Sequence, residues 1–518
     1  MTTAIRFTSA LLAGSLLAGC AAPGTQPSTA QVRQQQNPAD RAQPTVTNFT
    51  PALRCMDDLM FKAGTRDVTL MMEELRDSTQ KVPVNARDMM TSAISDMTRR
   101  SRAVRLSVFG SDQGNLSQLL QQAQKTQVFS VVPEFNVRGS ISQFDEDVRR
   151  QSSTLGVLAE RFGVRFGSDT RFSVLGFDAA MVRTDTFTLV PGVASKNTTV
   201  IAKRDASAGD GQARLLGASA TFAFNSGRAE GTAQAARNMV ELAAIELVGK
   251  LTRLPYWQCL GVADQQAEVQ RELEDWFFAM GDAEQVVFVK ERLRERRWFD
   301  GALDGTRSPA FDAALRAYRV ALALPARGEL DLDFFKRFVT QAVAKGPLAP
   351  SAAALPQAAV PGAAVLATAT AAPVPVPVPA VAPAPAPLQV HLLRQGAGRT
   401  DLRVLSPTAG YVYCYAQDPS TQAIRRVFPN RFARDPRIEA GATLSVPGAG
   451  RFKLDARQTY ACLHAPREVY ADLPAALRWG DFDAVRLDGF EQVRQAFAQS
   501  SGQPVALALA VAVTAPAQ

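Results

Sequence analysis

Histidine is nearly absent: only His391 and His464 occur in 518 residues. A metal site built on imidazole is therefore close to excluded, and no cofactor is expected. Nucleotide chemistry lacks its signature too. There is no Gly-Lys-Ser/Thr phosphate cradle, and Gly396-Ala397-Gly398 is too short for a dinucleotide fingerprint and has no βαβ context. No Gly-x-Ser-x-Gly elbow occurs. A concentrated basic stripe is also missing. The formal net charge is +8 and the pI about 9.4, but arginines and acids are interspersed. That pattern reads as a solvated surface, and nucleic acid is not an expected partner.

What is present begins with an export segment. MTTAIRFTSALLAGSLLAGC has one Arg and then a small, apolar stretch too short to span a bilayer. Its end, Leu17-Ala18-Gly19-Cys20, resembles the bacterial lipobox, with cleavage before Cys20 and acylation of that cysteine. An ordinary signal peptide with an unrelated cysteine is the alternative. Ala21 in place of Asp implies delivery to the outer membrane, lipid-anchored and facing the periplasm. In that compartment the other four cysteines are expected as two disulfides, Cys55–Cys259 and Cys414–Cys462, with free buried thiols as the alternative.

Composition divides the remainder. Residues 1–19 read as signal peptide and 20–45 as a lipidated flexible tether. Residues 46–262 carry mixed strand and helix patterns, and 264–345 a strongly patterned helical segment. Residues 347–387 hold eleven prolines and no charge. Such a run favours polyproline II and could span on the order of 100 Å, holding the C-terminal part away from the other two. Residues 388–492 look β-rich, and 493–518 form a low-complexity Ala/Val/Pro tail.

Within 46–262, "ERFGVRFGSDTRFSV" puts Phe162, Val164, Phe166, Phe172 and Val174 on one strand face, with Arg161, Arg165, Asp169 and Arg171 on the other. "LLGASATFAFNSG" places Leu216, Phe222 and Phe224 together in the same way. The helix pattern at 232–254 stacks Met239, Val240, Ala243, Ala244, Leu247 and Leu251, and Pro255 ends it. Together with the lipobox, "NVRGSISQF" and "DAAMVRTDTFTLVPG", this stretch resembles the CsgG family of curli secretion channel lipoproteins. The resemblance implies an α/β periplasmic domain, a homo-oligomeric ring, and two β-hairpins per subunit in a shared barrel that passes fibre subunits. Phe162, Val164, Phe166, Phe172, Val174, Leu216, Phe222 and Phe224 would then face lipid. A soluble sheet with one wet face is the alternative, and "FDEDVRRQSS" is very polar for lipid contact.

In "RRWFDGALDGTRS" two Asp-Gly pairs stand four residues apart. Helical stripes flank them: Val286, Val289, Leu293 and Trp298 before, Ala314, Leu315, Tyr318 and Leu322 after, then Leu330, Phe334, Phe335 and Phe338. Phe299, Gly301, Asp304, Gly305, Ala314, Leu315 and Tyr318 resemble the small three-helix peptidoglycan-binding module, with Arg307 and Arg319 departing from its pattern. A calcium loop would need a closing Glu, which is absent. The expectation is a structural turn, left-handed at Gly301 and Gly305, with Asp300 and Asp304 bonded to nearby backbone and cell wall as a partner.

The segments at 409–418, 425–432, 438–448 and 452–466 alternate like antiparallel strands, implying a β-sandwich-like domain. "GYVY", Phe428-Pro429-Asn430 and "SVPG" resemble a domain of unknown function found on envelope proteins. Cys462 and His464 share a strand face, but the Ser/His-Gly-Cys signature of cysteine transpeptidases is missing, so no active site is expected. The overall expectation is an α+β multidomain lipoprotein of the outer membrane. It would be a secretion or assembly component meeting lipid, peptidoglycan and secreted fibre subunits or other envelope proteins; a non-pore scaffold tying membrane to wall is the alternative.

Overall fold

Strand pairing in the first part of the chain changes from parallel to antiparallel partway across one sheet. The computed structural model describes residues 47–108, 132–146, 170–204, 213–219, 223–224, 231–346, 387–394, 400–448 and 452–514. The sheet is built from β1 (Val68–Met72), β2 (Arg76–Asp77), β3 (Val104–Val108), β4 (Phe135–Asp145), β5 (Thr170–Arg183), β6 (Leu189–Arg204), β7 (Ala213–Ser219) and β8 (Ala223–Phe224). Its order is β3-β1-β4-β5-β6-β7-β8, with β2 beside β4. β1 pairs in parallel with β3 and β4, and the pairs from β4 to β8 are antiparallel.

Helices α1 (Thr50–Lys62), α2 (Ala86–Met97) and α3 (Thr232–Thr252) share an apolar core with this sheet. Asn85 caps α2 by accepting from the Asp88 N–H. The single stripe expected on α3 turns out to be nearly a full circumference. Fourteen of its residues are buried, Asn238, Glu241 and Glu246 among them. A helix is buried all round when it is covered on several sides, here by β5 and β6 and by α1 and α2. The acid is accommodated by neighbours on β6, where Ser195 Oγ donates to Glu246 at 2.5 Å and Asn197 Nδ2 at 3.2 Å.

The next segment has four helices where three were expected. After α4 (Tyr256–Cys259) come α5 (Ala267–Ala279), α6 (Asp282–Glu295), α7 (Pro309–Ala321) and α8 (Leu332–Thr340). The unexpected one, α5, buries Val269, Leu273 and Trp276. Trp276 packs against Trp257 at 5.5 Å, and Phe277 against Phe335 at 5.5 Å. Ser308 and Asp331 cap α7 and α8. One apolar cluster runs from Phe49 to Val339, so the core continues across residues 262–264.

The C-terminal part is two sheets face to face. Its strands are β9 (Gln389–Arg394), β10 (Thr400–Leu405), β11 (Gly410–Gln417), β12 (Ile424–Phe428), β13 (Arg437–Ile438), β14 (Thr443–Val446), β15 (Thr459–Ala465), β16 (Ala484–Val485), β17 (Ala506–Leu509) and β18 (Val511–Thr514), with α9 at Phe490–Ser501. The sheets run β14-β10-β9-β18 and β16-β12-β11-β15-β17, with β13 beside β11. Val390, Leu402, Val404, Val412, Cys414 and Val427 lie in the core between them. The expected low-complexity tail is structure. Val493 and Phe497 of α9 cover Tyr413 and Tyr415, β17 pairs with β15, and β18 pairs with β9. The Ala/Val alternation of 505–514 is a strand pattern that its simple composition concealed.

Candidate functional site at a three-way ionic junction

In the first sheet, Asp145 lies opposite Val174, Thr170 opposite Arg204, and Lys203 opposite Ala213. The end of β4, the start of β5, the end of β6 and the start of β7 therefore meet at one end of the sheet. Phe162, Val164, Phe166 and Phe222 lie outside the described residues. Phe172, Leu216 and Phe224 are on β5, β7 and β8, and Val174, Val200 and Leu216 form one row across three strands. Val174 is only 1% exposed. In the single chain its side chain is covered.

The Asp-Gly turn follows α6. Phe299 is buried against Phe311, edge to face at 5.8 Å. Gly301 and Gly305 are not left-handed; the positive φ of this stretch belongs to Arg297, at 61°. These glycines have a different cause. A Cβ on Gly301 would enter the Phe299 ring, and one on Gly305 would meet Ala283. Asp304 accepts from the Thr306 N–H and from Lys290 Nζ at 2.6 Å. The Lys290 bond leads the causes that lower its pKa. Asp300 instead takes the Tyr411 hydroxyl of the C-terminal part, and burial raises its pKa. Leu303 N–H donates to Asp435, which also receives Arg294 at 2.6 Å. The turn is thus tied to the C-terminal part by two hydrogen bonds, while Ala302 stays exposed. Arg319, 2% exposed, binds the carbonyls of Pro325 and Glu329 and the Asp331 carboxylate.

The C-terminal part is not held away by the proline-rich segment. It is docked on the other two parts through buried charge. Asp67, in left-handed backbone at φ 59° between α1 and β1, accepts both Arg426 nitrogens, at 2.6 and 3.1 Å, and the Asp481 N–H. Arg426 is fully buried. Burial alone would raise the Asp67 pKa, but the Arg426 guanidinium lowers it. Asp481 in turn receives Arg431 through its backbone N–H at 2.8 Å and through Nε at 2.9 Å. Arg478 donates to the Phe61 carbonyl and lies 3.7 Å over its ring, and Arg102 lies 3.4 Å over Trp479. At the helical segment, Asp472 receives Arg297, Lys345 and Arg467. Burial opposes them, yet together these cations bring it down to about 2.

Nothing in the sequence pattern marked these residues. Asp67 is a lone acid in "GTRDVTL" and Arg426 sits in "RRVF", where a charged strand residue reads as solvent-facing. Cys55 is disulfide-bonded to Cys259, tying α1 to α4. Cys414 is bonded to Cys462 across β11 and β15, so the sulfur beside His464 is no free nucleophile in this form. Cys20 lies outside the described residues. Among the described residues, no group of three or more His, Cys, Asp and Glu side chains is placed to hold a metal, and no helix is long and apolar enough to cross a membrane.

A family described as a domain of unknown function (DUF4384) matches residues 399–461, from β10 into β15. The matched stretch holds Arg426, Arg431 and Cys414, and stops one residue short of Cys462. No curated protein matches the chain.

Proposed function

We propose that this protein is an oligomeric secretion or assembly component of the bacterial outer membrane, anchored by lipid at Cys20. The observation that carries the reading is the sheet end where β4, β5, β6 and β7 leave side by side. Two adjacent antiparallel pairs issuing from one edge of a soluble domain are what a subunit needs to lend two hairpins to a shared barrel. β5 and β6 are 14 and 16 residues long, against roughly 9–11 for one crossing, so each is long enough to serve both sheet and barrel. The sequence resemblance to curli secretion channel lipoproteins supports the same arrangement. Detergent-extracted protein should form rings in negative-stain images and conduct ions in planar bilayers; monomers without conductance refute the reading.

The second reading is a non-pore scaffold linking outer membrane to peptidoglycan. The burial of Val174 and Val200 favours it, because that face of the sheet is already covered. It expects co-sedimentation with isolated peptidoglycan and no conductance. Wall contact at this turn would compete with Tyr411 for the Asp300 carboxylate and with Asp435 for the Leu303 N–H.

A further inference from the structure

Beside the docking seam, the C-terminal sheets and the edge strand β3 enclose a cleft of about 470 Å³. Its floor follows from strand register. Ala484, Arg425, Ala416 and Tyr460 are successive partners across β16, β12, β11 and β15, so their side chains share one face. The two alanines leave room that larger side chains would fill. Phe452 and Phe482 line the same cleft and meet edge to face at 4.9 Å. Phe482 is half-buried and stands in left-handed backbone at φ 64°, a costly conformation for an aromatic residue. Its N–H donates to the Arg426 carbonyl at 2.8 Å, which holds it there.

The charges around this floor are only partly spent on one another. Asp483 is taken by Arg105 at 3.0 Å, and Asp455 by Arg457 at 2.8 Å. Two lining cations are left over. Arg425 lies 3.8 Å from Asp418, beyond hydrogen-bond reach, and that carboxylate already accepts from the Ser420 and Thr421 N–H groups. Lys453 forms no ion pair among the described residues. The Arg425 side chain is 36% exposed and Lys453 is exposed, so both are open to a solute. An aromatic floor with two free cations suits a ring that carries negative charge. Asp455 and Asp483 in the same lining repel a dianion more than a monoanion, which selects carboxylate over phosphate.

We propose that this cleft binds an aromatic carboxylate. The ring lies over Ala416 against Phe452 and Phe482, and Arg425 and Lys453 receive the carboxylate. Arg105 comes from the first domain, so the site is complete only while the C-terminal sheets are docked. It is separate from the sheet end and does not depend on a barrel forming there. The bound group is either a free acid or the C-terminal aromatic residue of a polypeptide, since both present the same chemistry.

Saturation-transfer difference NMR on the full chain at pH 7 tests it, with N-acetyl-L-phenylalanine, its uncharged amide and 3-phenylpropionate as probes. Both acids should give saturable signals, and the amide, with the same ring, should bind about fivefold more weakly than N-acetyl-L-phenylalanine. Tighter binding of N-acetyl-L-phenylalanine than of 3-phenylpropionate assigns a polypeptide C-terminus, and the reverse assigns a free acid. Arg425→Gln/Lys453→Gln alters two solvent-exposed side chains. It should keep the thermal midpoint and lose the preference for acid over amide. No saturable signal from either acid, equal affinity for acid and amide in the wild type, or an unchanged preference in the double variant overturns the site. The wild-type comparison decides the matter even if the variant misfolds.

Discussion

Two seams join the three parts of this molecule, and they are made of different materials. The seam between the first domain and the helical segment is apolar, with Trp257 on Trp276 and one continuous core. The seam to the C-terminal sheets is ionic, with Asp67–Arg426 buried across it and Asp472 receiving Arg297 and Lys345 from the helical segment. Apolar burial tolerates sliding and depends little on pH. Buried ion pairs gain little net stability, since desolvation offsets attraction, but they penalise every wrong arrangement. The first seam supplies cohesion and the second supplies register.

The contrast between the seams is tested most sharply at Arg426. Arg426→Met strands the Asp67 carboxylate and should cost about 3–5 kcal/mol. In differential scanning calorimetry the C-terminal sheets should then melt separately, and protease should cut between them and the rest. The pair Asp67→Leu/Arg426→Met should recover much of that loss, since no lone charge remains. Equal loss in both variants would mean that shape, not charge, sets the seam. On the apolar side, Leu273→Ala should cost about 2–5 kcal/mol in urea unfolding. That loss should be the same at pH 5 and pH 8.

Glu295 gives a smaller, pH-dependent effect. It faces Arg66, Glu468, Arg294 and Arg292, and burial raises its pKa from 4.5 to about 7. The folded state thus holds a proton that the unfolded chain releases. The stability this gives is full below about pH 4.5 and is lost as pH rises through 7. Glu295→Gln should match wild type near pH 4.5 and exceed it by about 1–3 kcal/mol at pH 8. A constant gap across that range would remove Glu295 as the source. The least effect belongs to the exposed Glu491–Arg494 pair on α9. Glu491→Gln should leave the midpoint unchanged within error, the surface control for the buried pairs.

Local pattern was legible and tertiary charge was not. Stripes at 286–293, 314–322 and 334–338 lie on α6, α7 and α8, and the alternation at 410–417 lies on β11. Periodicity reveals such elements because water sorts side chains by face. α3 misled by its single apparent stripe because Leu242, Ile245 and Val248, together with small and polar residues, are buried on its other sides. The turn glycines suggested left-handed backbone because that is glycine's usual use, while here a ring and a methyl stand where a Cβ would be. Asp67 and Arg426 are 359 residues apart, and nothing local to either hints at the other. The proline-rich segment misled in reach: a spacer's maximum span says nothing of whether the parts it joins attract each other.

Residues 506–514 are the hem that closes the garment. β17 completes one layer against β15 and β18 completes the other against β9, so a single short stretch stitches both. The fold of this region must wait until those residues have emerged, and a chain cut back to 492 would present two bare strand edges to its neighbours. Maturation and self-association are thereby coupled to the arrival of a few residues whose plain composition gives no hint of the role.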